Sequence, residues 1–135
     1  MSWDIFAQDL PADANCIEDI PENFKPKPIG ARADVIAKIL QVSPEVKFEP
    51  DFAHAHLEGD GFSLEISILD HDPCEGVTFR VWGGGQTVIN LIADILDNLK
   101  LRALQAGDGP HFFDRKTAII GLESARRYTA QISNK

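Results

Sequence analysis

His54 and His56 stand two residues apart in Ala53-His54-Ala55-His56-Leu57, so on an extended strand both imidazoles leave the same face, as metal ligands on β-scaffolds often do. Two imidazoles do not close a metal site, and a third ligand would have to come from Glu58, Asp60 or Glu65. Ser63 and Ser67 offer hydroxyls, but both fall in strand-like sequence, away from the strained turn that presents a nucleophilic serine. Asp70, Asp72 and Glu75 share a loop without the spacing of an EF-hand, and the turn-forming habits of Asp and Pro account for them. The remaining chemical signal is Gly83-Gly84-Gly85, between the strand-like Val77-Thr78-Phe79-Arg80-Val81-Trp82 and a helix-like run over 86–100. Glycines there either let backbone N–H groups approach an anion or simply permit a tight turn. No GxGxxG is present, and no lysine follows as a P-loop requires, so the plain turn is the preferred reading. These motifs require neither a metal nor another cofactor.

Composition narrows the partners. A chain of 135 residues, 44% apolar and 25% charged, matches one folded domain, taken as 1–135, with one sizeable core. Thirteen Lys and Arg against 21 Asp and Glu give 13 − 21 = −8 with histidine neutral, which repels a phosphate backbone and argues against nucleic acid. The first residues lack the basic-then-apolar pattern of a secretory signal, and no window approaches the ~18 apolar residues of a membrane span, so a cytoplasmic protein is expected. Cys16 and Cys74 are far apart and lack CxxC spacing, which fits reduced thiols.

The elements that position these residues follow from periodicity. Trp3, Ile5 and Ala7 alternate with Asp4, Phe6 and Gln8, the pattern of a first strand, which Pro11 ends. Pro21, Pro26 and Pro28 favour an extended segment wrapping over the surface. Val35, Ile36, Ile39 and Leu40 recur at helical spacing within 31–42, and Pro44 closes that helix. Next come three strands. Pairing Leu57 with Phe62 across Glu58-Gly59-Asp60-Gly61 sets Ala55 against Leu64 and Ala53 against Ile66. Pairing Ile68 with Val77 sets Ile66 against Phe79 and Leu64 against Val81. The opposite face then reads His54, Glu65, Arg80 in one row, His56, Ser63, Trp82 in the next, and Phe52, Ser67, Thr78 in a third.

After the glycines, Val88, Ile89, Leu91, Ile92, Ile95, Leu96 and Leu99 form a wide apolar face that predicts the central helix of the core. Leu101-Arg102-Ala103-Leu104 predicts another strand, and a last helix is expected over 114–132. The order β-α-β-β-β-α-β-α is α+β: a mainly antiparallel sheet with its helices packed on one face.

Trp3-Asp4-Ile5, Gln8-Asp9-Leu10-Pro11, Ile20-Pro21 and Pro28-Ile29-Gly30-Ala31-Arg32 together resemble a group of short bacterial proteins of uncharacterised function. The resemblance covers mainly the first third of the chain, with a weaker echo over 91–104. It implies a stand-alone bacterial domain and brings no catalytic residues.

Two functions are expected to compete. The preferred one is a non-enzymatic module that binds another protein, a basic partner such as a toxin to be neutralised, or else associates with itself. Trp82 would supply contact area and Arg80 a charged anchor, with Glu65, His54, His56 and Ser63 around them. The alternative is a small-ligand or metal-dependent enzyme using the His54 and His56 face, or the turn at Gly83, Gly84 and Gly85 as an anion site.

Overall fold

Period-two burial along the longer strands organises the molecule. β1 (Trp3–Gln8) buries Trp3, Ile5 and Ala7 and turns Asp4, Phe6 and Gln8 outward, and the same alternation recurs in its neighbours. The computed structural model describes residues 3–11, 14, 17–21, 23–25, 27–50, 53–68, 73–83, 85–105 and 111–114. Within them lie β2 (Lys47–Phe48), β3 (His54–Gly59), β4 (Phe62–Ser67), β5 (Val77–Gly83), β6 (Arg102–Gln105) and β7 (His111–Phe112). The helices are α1 (Arg32–Val42) and α2 (Gln86–Leu99), preceded by a 3-10 turn at Ile17–Asp19. The strands form one sheet in the order β2-β3-β4-β5-β1-β6-β7, with every neighbouring pair antiparallel.

The fold is α+β, with the helices on one face of an antiparallel sheet. Val35 and Ile39 of α1 join Val88, Ile89, Ile92, Ile95, Leu96 and Leu99 of α2 and the inward side chains of β1, β3, β4 and β5 in a single apolar cluster. Ile5, Ile66, Phe79 and Ile92 are completely buried there. Asn98 locks the helices together: its Nδ2 donates to the Lys38 carbonyl at 2.8 Å and to Gln41 Oε1 at 3.2 Å. Lys100 ends α2 in the left-handed conformation, φ 57°, while its own N–H bonds back to Asp97 and that of Leu101 to Leu96. The proline-bearing segment is tied down where Ile29 donates to Cys74 and Cys74 donates to Gly30, at 2.8 and 2.7 Å.

Two expectations need correcting, and the sheet adds one placement that the sequence did not predict. The β3–β4 hairpin pairs Gly59 with Phe62, Leu57 with Leu64 and Ala55 with Ile66, two residues away from the expected register. The turn is only Asp60-Gly61, with Gly61 at φ 82°, because Gly59 stays in the ladder and the Phe62 ring occupies the space where a side chain at 59 would stand. A shift of two residues preserves which side chains point inward, so apolar alternation could not distinguish the two registers. β2 and β7 are additional edge strands, too short to show a period. β1 lies between β5 and β6, making these two parallel to each other, so α2 carries the chain across the inner face from one to the other. The β4–β5 register is as expected, with Leu64 opposite Val81 and Ile66 opposite Phe79. The last helix expected over 114–132 lies outside the described residues except for Asp114, as do Phe52, Asp70, His71, Asp72 and Cys16. Among the described residues, no helix is long and apolar enough to cross a membrane.

Candidate functional site

With the two described helices on the inner face, the outward positions of the strands form a broad open surface. The corrected hairpin changes its rows. The central row runs Lys47, His56, Glu65, Arg80, Asp4 across β2, β3, β4, β5 and β1. On one side of it lie Glu58, Ser63 and Trp82. On the other lie His54, Ser67, Thr78, Phe6, Leu104 and Phe112. The expected rows of His54, Glu65, Arg80 and of His56, Ser63, Trp82 are therefore replaced. His56 faces Glu65, whereas His54 faces Ser67.

These pairings decide which chemistry the face can assemble. Ser63 donates its hydroxyl to Glu58 Oε2 at 2.6 Å, not to an imidazole. His56 Nε2 lies 3.0 Å from Glu49 Oε1, both side chains about half exposed, an ion pair when the imidazole is protonated. Glu49, Pro50, His54 and His56 line a shallow open depression there. Among the described residues, no three His, Cys, Asp or Glu side chains converge as a metal-ligand set. Glu65 and Arg80 are register partners, Asp4 flanks Arg80 with the opposite sign, and His56 separates Glu65 from Lys47. Opposite charges placed directly across a ladder are favourable, each pair by a few tenths of a kcal/mol or more.

The apolar members are the unusual ones. Among the described residues, Trp82 and Phe6 are the large apolar side chains left exposed, at 39% and 46%, and both leave this face. Phe6 stands between Thr78 and Leu104, with Phe112 beyond. The Arg102 guanidinium lies 3.9 Å above the Phe112 ring, a cation–π contact, and donates to the Pro11 carbonyl. Sequence reading reached Trp82, Arg80, Glu65, His54, His56 and Ser63, but not Lys47, Asp4, Phe6, Glu49 or Arg102. Outward alternation of Asp4, Phe6 and Gln8 was visible in the sequence; its neighbour in the sheet was not.

The glycines resolve into separate roles. Gly83 closes β5 at φ 71°, and a Cβ there would come within 2.6 Å of the Gly61 carbonyl oxygen, so the β3–β4 turn and the end of β5 can touch only through glycine. Gly85 precedes α2, with open space where a side chain would project. Gly84 lies outside the described residues. Trp82, the residue before Gly83, is thus held at the rim of the face by a backbone-to-backbone contact.

No protein-family model, no curated protein and no solved structure matches this chain.

Proposed function

We propose that this protein is an interaction module, not an enzyme, and that it holds another polypeptide against the outer face of its sheet. One observation carries the reading: Trp82 and Phe6 are exposed on the same face, opposite the two described helices, and flank a row of alternating charges. Aromatic side chains with arginine beside them are the types most enriched where protein contacts concentrate their energy. Antiparallel sheets commonly leave one face to water, but such a face is normally polar throughout.

The chain's net charge of −8 would steer a basic protein, a toxin among them, at long range. The face itself is close to balanced, with Glu49 beside His56 adding one negative charge to the strand positions. Its outward strand positions carry Lys47, Arg80 and Arg102 against Asp4, Glu58 and Glu65, so 3 − 3 = 0 with histidine neutral. Docking there needs no strongly basic partner.

The test compares wild type with a Trp82→Ala, Arg80→Glu variant, and with Lys38→Ala at an exposed position of α1 as control. Solution mass and the proteins co-purifying from native cells are measured for all three. The reading expects a bound polypeptide, of either kind, to be lost from the face variant and kept by the control. If the face variant matches wild type in both measurements, this surface is not the docking site.

A further inference from the structure

We infer that the polypeptide covering the outer face is a second copy of this chain, packed face to face about a two-fold axis that runs along the strands between β4 and β5. The inference rests on the outer face being a docking face, and its ground is charge complementarity of that face with itself. An axis parallel to the strands reverses strand order in the facing copy but leaves each row at its own height. Glu65 on β4 then meets the partner's Arg80 on β5, and Arg80 meets the partner's Glu65. His56 on β3 meets the partner's Asp4 on β1, and Trp82 meets the partner's Ser63. Thr78 meets the partner's Ser67 in the adjoining row.

The alternative axis, across the strands, keeps strand order and places Glu65 on the partner's Glu65 and Arg80 on the partner's Arg80. Like charges in contact exclude it. The alternating order of the central row therefore favours an axis along the strands, and placing it between β4 and β5 joins Glu65 and Arg80 reciprocally, an isologous two-fold contact of the kind commonest in soluble assemblies. Two twisted sheets stacked in this way keep their strands within about 30° of each other, as aligned sandwiches do.

Two further quantities agree. The face, with Glu49 beside His56, carries only one net negative charge, so most of the acidity of the chain lies elsewhere, and repulsion between copies of net charge −8 is screened beyond about 8 Å at ordinary salt. The strands β1 to β6, which this axis brings into overlap, hold 31 residues, and at about 3.3 Å per residue and about 4.8 Å between strands they cover roughly 500 Å² per copy, which reaches the lower bound of about 1,000 Å² in total for a specific interface.

The experiment is complementary charge reversal. Glu65→Arg and Arg80→Glu are made in separate full-length chains, their folding is checked by circular dichroism and melting, and their masses are measured alone and mixed at about 50 μM. Wild type is expected at twice 14.9 kDa and each variant alone at 14.9 kDa, since like charges then oppose at both contacts. The equimolar mixture is expected to recover the doubled mass, because opposite signs meet again at both contacts when the two variants pair. Intrachain repulsion is the same alone and mixed, so recovery on mixing reads only the contact between copies. If either chain fails to fold, Glu65→Lys with Arg80→Asp replaces the pair. A monomeric wild type overturns the inference, with co-purification then deciding whether a different protein uses the face. A dimeric wild type whose single variants stay dimeric, or whose mixture stays monomeric, overturns it too.

Discussion

Gly83 shows how much one atom can determine. Its φ of 71° strains any L-residue, and a Cβ would also sit 2.6 Å from the Gly61 carbonyl oxygen. Gly61 has a similar φ, 82°, but nothing lies within 4 Å of where its Cβ would be. Gly61→Ala should cost about 1 kcal/mol, the strain alone, and Gly83→Ala at least about 2 kcal/mol, because backbone must move as well. Urea denaturation of both variants checks this; equal losses would show that the close approach carries no energy. Sequence reading placed a turn at these glycines, since glycine beside a strand end is informative by itself. It could not reveal that the residue pressing on Gly83 belongs to another turn, twenty-two positions earlier.

Among the elements, α2 was the most legible. Its apolar stripe predicts residues 86–100, and the helix runs over Gln86–Leu99 with seven buried residues that include Ile89, Ile92 and Ile95. What holds α1 against it was not legible, since Asn98 looks like any polar position on that stripe. Its amide makes two bonds to α1, whereas Asn90 on the same helix bonds only Gln86, at 3.1 Å. Asn98→Ala should therefore lower stability by about 1–2 kcal/mol and Asn90→Ala by under about 0.5 kcal/mol. A thermal melt of the two variants checks the contrast, and equal effects would remove Asn98 as the tie between helices. The strands divide the same way. Inward and outward faces were legible in β1, β3, β4 and β5, but the β3–β4 register was displaced by two, because the energy of burial is blind to any even shift.

For the whole molecule, association and stability should be coupled. Phe6 and Trp82 lie outside the apolar cluster, so Phe6→Thr with Trp82→Thr should leave the isolated chain within about 0.5 kcal/mol per site. A wild-type chain that pairs through this face should melt higher as its concentration rises, while the double variant should not, the two converging on dilution. Melting at 1 and 100 μM tests it, and parallel behaviour at both concentrations would detach these aromatics from any association. The sequence by itself determined the α+β class, both described helices, the inward face of the principal strands and the polar character of the opposite one. These depend on periods of 3.6 and 2, which act over a few neighbouring residues. Only the tertiary structure decided that β1 inserts between β5 and β6, that His56 and not His54 shares a row with Glu65 and Arg80, and that Phe6 and Asp4 complete the face around Trp82. Each of those is a choice of neighbour between segments distant in the chain, and alternation within one strand carries no information about which strand lies beside it.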